Sequence, residues 1–468
     1  EEAAALGILR TAFIKGRGEE SAEVGAALRD SYKRLLGPAM ETELRANLKE
    51  AADCDSIRVF AENLHALLMA PPFGGRRILA VDPGFRSGCK VVALDEQGAL
   101  IHHETIFPHE PQNRADEAAS AVKRIVRAYE LCAVAVGNGT AGRETDSWLR
   151  SLGLPIEIAL VNESGASIYS ASEVAREEFP SLDLTVRGAI SIGRRFQDPL
   201  AELVRIDPKS IGVGQYQHDV DQKKLKSALG DVVTNCVNRV GVQVNIASRD
   251  LLKYVSGLSS TLAANVVKFR DENGAFITRD DLRRVPRMGA KAFEQSAGFL
   301  RIWYGANPLD ASAVHPENYA LVERFASDLG CEVADIMTNR LLRKRIDAQN
   351  YPDVSESAMH DILSELARPG RDPRSEFEPF SFDENVHSLS DLKPGMRLPG
   401  IVSNVTDFGV FVDVGVHQDG LLHRNKMRGW SSKRLVPGSR LNVEVLDVDE
   451  TRKRISLAPA EALKPVND

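Results

Sequence analysis

Gly400-Ile401-Val402, Asp407-Phe408-Gly409-Val410-Phe411-Val412-Asp413, Gly420-Leu421-Leu422-His423 and Arg454-Ile455-Ser456-Leu457 follow one another between residues 400 and 457, and no other stretch of the chain says as much. Val410 and Val412 alternate with Phe411 and Asp413, as a half-buried strand requires, so Phe411 lies on the face opposite the two valines. Phe408 stands three residues before it, beside a glycine that permits a bend or bulge, and His423 ends a later strand after a Gly-Leu-Leu turn. Aromatic groups gathered on one small barrel face suit unstacked bases, because each base offers a flat π-face worth about 1–3 kcal/mol on stacking. Residues 391–457 hold 11 Lys/Arg against 8 Asp/Glu, a mild positive field for phosphates. On the residues alone a second reading stands, in which Phe408 and Phe411 are ordinary barrel core.

Five short strand-like runs bounded by Gly, Pro and Asp fit a five-stranded OB barrel over residues 391–460. Over its full length this segment resembles the ribosomal-S1-type RNA-binding domain. That resemblance implies that Phe408, Phe411, His423 and Arg454 face nucleic acid.

At 468 residues and 43% apolar content the chain is long enough for about three or four domains. A formal charge of −7 argues against a wholly basic, histone-like binder, so any nucleic-acid surface must be local. Cys54, Cys89, Cys132, Cys236 and Cys331 are odd in number, far apart and never in a Cys-x-x-Cys pair, which disfavours a disulfide framework and a zinc site and fits a reducing cytoplasm. There is no membrane-length apolar run and no signal-like N-terminus, so a soluble, cytoplasmic protein is expected. The first residue is not Met, from which the chain is expected to begin inside a longer one.

Residues 1–74 read as a helical scaffold, with Leu28, Tyr32, Leu35 and Leu36 at helical spacing and a break at Pro71-Pro72. Three strands follow, at Ile78 to Val81, Cys89 to Leu94 and Leu100 to Glu104. Then come a helix at 113–129, a strand from Ala133 to Val136, a helix at 143–151, a strand from Ile156 to Val161 and a helix at 165–178. Three strands and then alternating elements describe a ribonuclease-H-like α/β domain over 75–205. Residues 206–306 are helical with two interruptions, Val255-Ser256-Gly257-Leu258 and Val285-Pro286-Arg287-Met288-Gly289; 307–390 are expected to be a small helical unit, with a Pro- and Asp-rich linker from 368. The fold class expected is therefore multidomain α+β.

The paired interruptions fit a helix-hairpin-helix tandem, in which a short glycine turn aims backbone N–H groups and a helix N-terminus at a phosphate. Gly257 and Gly289 are expected to permit the turns, with Lys291, Arg283, Arg284 and Arg287 supplying charge. A plain helical bundle with glycine loops is the alternative.

Asp82 ends the first sheet strand in Val81-Asp82-Pro83-Gly84, where RuvC-like and YqgF-like nucleases carry a metal-binding carboxylate, and Glu163 follows the strand ending at Val161. Two-metal cleavage needs several carboxylates close together, yet the middle strand ends in Val136-Gly137-Asn138-Gly139-Thr140 without an acid. Glu173 or Asp198 are further acids that no motif places. Asn138-Gly139-Thr140 can also be read as a helix-capping, phosphate-facing loop. Gly212-Val213-Gly214 lacks the third glycine and the preceding strand of a dinucleotide fingerprint, and no Walker-type motif occurs.

A YqgF-like sheet, a helix-hairpin-helix pair and an S1-type barrel, in that order, resemble the bacterial Tex family of transcription accessory proteins. The likeness is strongest in Arg187 to Arg195, Gln197 to Leu203, Ile206 to Val220 and Ala297-Gly298-Phe299-Leu300-Arg301-Ile302, strings for which no role beyond joining domains is read. It implies non-sequence-specific binding of RNA and DNA linked to the transcription machinery, a catalytically degenerate YqgF-like domain, and a further N-terminal helical region outside this chain. The expected protein is a monomer with no membrane partner and no required cofactor; Mg²⁺ enters only if Asp82 and Glu163 form an active nuclease or resolvase site.

Overall fold

The computed structural model describes residues 2–460 except 215, 384, 387, 407, 417 and 428–434. Helices α1 (Glu2–Phe13) and α2 (Glu19–Ser31) lead through a π-helical turn, Tyr32–Leu36, into the 32-residue helix α3 (Gly37–Leu68). The expected apolar stripe is only half right. Leu35 and Leu36 are exposed, as are Met40, Leu44 and Leu48, whereas Ile57, Phe60, Leu64 and Leu68, spaced three or four residues apart, bury one face of the second half. That face packs on Leu225, Leu229 and Val233 of α10 (Gln222–Val240). Each such side chain taken from water contributes about 1.5–3 kcal/mol.

The central sheet contains β1 (Ile78–Asp82), β2 (Cys89–Leu94), β3 (Leu100–Ile106), β4 (Ala133–Gly137) and β5 (Glu157–Val161) in the order β3-β2-β1-β4-β5. The first three are antiparallel neighbours and β4 and β5 run parallel to β1. Helices α4 (Ala115–Ala128) and α5 (Gly142–Ser151) bury Val122, Ile125 and Leu149 against Leu79 and Val81. The helix expected at 165–178 breaks at Ser172, which caps the second of two short helices, α6 (Ala166–Ala171) and α7 (Glu173–Glu178). The opposite face of the sheet is covered by α8 (Leu184–Gln197), through Ala189, Ile190 and Phe196 against Ile78, Ala80, Val92 and Leu94. Both faces being covered, β1 and β2 are almost continuously apolar. The Arg187 to Arg195 string, read as a connection, is thus a core helix. Gly193 lets it approach closely, since a Cβ there would lie 2.6 Å from Leu94 Cδ1 and 2.8 Å from Ala80 Cβ.

Beyond the short helix α9 (Pro199–Leu203) and α10, β6 (Val242–Gln243) precedes α11 (Arg249–Leu252), α12 (Ser260–Asn273), α13 (Ala290–Ala297) and β7 (Leu300–Arg301), with β6 and β7 paired in parallel. A second helical unit, α14 (Tyr319–Leu329), α15 (Val333–Thr338), α16 (Arg340–Arg343) and α17 (Glu356–Ala367), is joined to the first by Arg279. That side chain is fully buried and donates to the carbonyls of Leu300, Ser312 and Val314 and to the Tyr319 hydroxyl. No helix among the described residues is long and apolar enough to cross a membrane.

Residues 368–391, expected to be a linker, are a docked strap. Arg374 is 9% exposed and binds Asp198, the cap of α9, and Asp372. Both carboxylates hold its pKa above the usual range against the desolvation that opposes it. Phe377 then meets the stacked pair Phe73–Phe196 edge-on, with centroids 5.4 and 5.2 Å away. The strap ends on the C-terminal barrel, where Arg440 donates to the carbonyls of Glu378 and Pro379 and lies over the Phe380 ring. That barrel is closed, as expected, in the order β10-β12-β11-β8-β9, from β8 (Arg397–Thr406), β9 (Gly409–Asp413), β10 (Gly420–His423), β11 (Arg440–Asp449) and β12 (Arg454–Pro459).

Replacing Arg374 by Ala leaves Asp198 and Asp372, both partly exposed, without their shared cation. Arg374→Ala is expected to lower stability by about 1–3 kcal/mol, less than a fully buried pair would cost. Limited proteolysis checks the location, with new cleavage expected within residues 368–386 before any in the barrel.

Candidate nucleic-acid interface

Along β9, Val410 and Val412 point into the barrel with no exposure, while Phe411 and Asp413 point outward. Phe408 is 51% exposed, and its ring lies 6.0 Å from that of Phe411, almost perpendicular to it. The reading of these two as barrel core is thereby set aside. Gly409 pairs with His423, so the end of β10 stands beside Phe408, whose carbonyl accepts from the Arg424 N–H at 3.0 Å. His423 Nδ1 accepts from the Asn425 N–H. His423, Arg424 and Lys426 are exposed. Arg454 is also exposed and on the same outward face, but it starts β12 just beyond the other end of β10, about 13 Å along the strand from His423. Asp407, quoted with this motif, lies outside the described residues.

The two hairpins also form, with one correction. Gly257 adopts φ +88°, and a Cβ there would lie 2.7 Å from Gln295 Cβ, so only glycine fits. Gly289, expected to do the same, has φ −76° and caps α13. The left-handed residue of the second hairpin is Arg287, with φ +70°. Arg283 pairs with Asp280 and lies 3.8 Å over the Phe293 ring, and Arg284 pairs with Asp281. Arg287 and Lys291 are exposed and form no ion pair among the described residues, so their charge is free for a phosphate.

At the C-terminal edge of the sheet, Asp82 and Glu163 face each other across the end of β4. Burial and the Glu163 charge push the Asp82 carboxyl up to about 6, against the pull of Lys90. Burial likewise raises Glu163, opposed by the Gly139 N–H and by Arg195. The Glu163 side chain occupies the loop read as phosphate-facing: Cβ atoms at Gly139 and Gly137 would lie 1.7 and 2.3 Å from its oxygens. Asn138 Oδ1 accepts from the Glu163 N–H. Helix α8 offers this pair no acid, for Gly188 faces Asp82, with 3.1 Å between its Cβ position and Oδ2, and Arg195 donates to the carbonyls of Asn162 and Ser164. Glu173 is exposed and Asp198 is held by Arg374, so neither is a third ligand. Among the described residues no group of three or more His, Cys, Asp or Glu could hold a metal ion, and the donor set does not fit two clamped divalent ions.

The raised Asp82 pKa has a definite sign. Its stabilising protonated form is fully present below about pH 4 and is lost as pH rises through about 6. Asp82→Asn is therefore expected to stabilise the fold at pH 8, by at most about 3 kcal/mol, and by less at pH 5. Thermal denaturation of both proteins at the two pH values checks this; a gain that does not change with pH contradicts it.

Comparison with known proteins matches these parts in sequence. Residues 76–197 fit the model of the Tex protein YqgF-like domain, 237–301 a helix-hairpin-helix motif, 307–374 an HHH domain and 391–458 the S1 RNA binding domain. The small helical unit read at 307–390 thus contains a second helix-hairpin-helix domain that its sequence did not disclose. "Protein tex" of Bordetella pertussis is 49% identical over 445 residues, 93% of this chain and 56% of that protein. "Transcriptional accessory protein Tex" of Neisseria gonorrhoeae is 50% identical over 441 residues, 92% of this chain and 58% of that protein. "S1 RNA-binding domain-containing protein 1" of Homo sapiens is 35% identical over 504 residues, 92% of this chain and 50% of that protein. The chain spans a little over half the length of the bacterial relatives, and over that span, domain by domain, it belongs to the Tex family.

Proposed function

We propose that this chain binds nucleic acid without sequence specificity, single strands on the barrel and duplex backbone on the hairpins, as part of a transcription accessory protein. The observation that carries the reading is the barrel face: two aromatic rings at right angles, one of them half-exposed, beside the exposed His423, Arg424 and Lys426. Rings of this kind stack on any base, and the cations attract the backbone. RNA and DNA single strands both satisfy this chemistry. The hairpins add phosphate contacts through the N-termini of the helices that follow the turns and through Arg287 and Lys291, which form no ion pair among the described residues; such contacts position a duplex without reading it. On this reading Asp82 and Glu163 are a structural remnant, because α8 offers the pair only Gly188 and Arg195 and no further acid stands beside them among the described residues.

The double substitution Phe408→Ala with Phe411→Ala is expected to weaken single-strand binding by about 2–5 kcal/mol, two stacking losses, while the circular-dichroism spectrum of the barrel persists. Equal affinity of parent and variant at moderate salt would reject the assignment.

The second hairpin offers a cleaner probe than the first. A Cβ at Gly289 meets nothing within 4 Å, so Gly289→Val is expected to cost no more than about 1 kcal/mol, the loss of a favoured N-cap residue, and to weaken binding to unrelated duplexes alike, whereas the same change at Gly257 disturbs the fold itself. Arg287→Ala and Lys291→Ala should each reduce the slope of log affinity against log salt by about 1. Unchanged slopes would remove the hairpin from the interface.

A further inference from the structure

The outward face of β9 and β8 does not look into open solvent along its whole width. Asn404 pairs with Phe411 across the two strands, and its Oδ1 lies 3.4 Å from Nδ2 of Asn63 in the buried half of α3, which in turn donates to the Val213 carbonyl at 2.7 Å. At the far end of the same strand Asp413 is bound by Arg143 of α5 at 2.7 Å, each side chain 23% exposed. The aromatic face therefore abuts the body of the protein. At the Asn63–Asn404 contact opens a crevice of about 250 Å³, lined by Asn63, Asn162, Gly212, Ser403 and Asn404 among others, none of them charged.

We propose that this crevice is a second subsite for single-stranded nucleic acid, taking the base next to those stacked on Phe408 and Phe411. The proposal rests on the reading of the barrel face given above and extends the path of the strand off that face. Three observations carry it. The subsite is continuous with the stacking surface, since Asn404 is the cross-strand neighbour of Phe411. Its lining residues are all uncharged, and the side-chain amides of Asn162 and Asn404 bring donor and acceptor groups that a base edge can meet, while the Ser403 hydroxyl is held by Asp419 at 2.7 Å on the rim. Its wall at Gly212 is exposed backbone with nothing within 4 Å of the Cβ position, so a flat ring can approach the chain closely there. The floor at Asn162 directly precedes Glu163, so a strand in the crevice runs toward the edge of the sheet that carries the carboxylate pair.

Gly212 also supplies the test, because a side chain there fills the crevice without meeting the fold. Gly212→Gln and Gly212→Glu are compared with the parent chain for binding of labelled homopolymer single strands of about 4 and about 12 nucleotides, the shorter of which the barrel face alone can hold. Both variants are expected to bind the longer strand about tenfold more weakly, the equivalent of one lost stacking contact, with the glutamate the weaker of the two, and to bind the shorter strand as the parent does. If the parent binds both strands and the variants match it on both, the crevice is not a subsite while the barrel reading stands. If the parent binds neither strand, the barrel reading fails and the crevice proposal with it.

Discussion

The paired guanidinium of Arg374 fixes the geometry on which the rest of the surface depends. Asp372, two residues before it on the strap, and Asp198, at the end of the helix that covers the sheet, hold it from two sides. With that anchor set, Phe377 drops edge-on into the Phe73–Phe196 stack and the next residues reach the barrel through Arg440. Three domains are thereby held in one arrangement by a segment of irregular backbone. A flexible tether would let the barrel face point anywhere; this strap turns it toward α3 and α5.

The barrel and the sheet were legible because their signals are local. Alternation in Val410 to Asp413 assigns each side chain to a face from neighbours alone, and the strand-end position of Asp82 follows in the same way. What the sequence concealed depends on partners far away in the chain. Arg374 reads as one charge in a polar stretch until Asp198 is seen opposite it. Helix α8 reads as a joint because its glycines lower helix propensity, yet Gly188 and Gly193 are there to let the helix lie close on Asp82 and on the sheet. At the second hairpin the sequence pointed to Gly289 for the tight turn and to Arg287 only as a charge, but the left-handed residue is Arg287. Leu35 and Leu36 have the spacing of core residues, but a π-helical turn displaces the stripe they would have joined.

The carboxylate pair stands at the strand ends with neighbours that set its protonation. Two acids remain at the strand ends, and their burial costs enough to push Asp82 up to about 6. A divalent ion with further ligands would neutralise such a pair, but here the neighbours are Gly188, the Gly139 N–H and the Arg195 guanidinium.

The contact between Asn63 and Asn404 joins residues 341 positions apart, and the Arg143–Asp413 pair spans 270. Domains of a chain made from its N-terminus fold in turn as they emerge. The sheet, the hairpins and the second helical unit can each be complete while the barrel is still being synthesised, but the surface between α3 and β8 cannot exist until the barrel has formed. A chain cut before the barrel would therefore keep its sheet and its hairpins but lack the surface that α3 and α5 form together with β8 and β9.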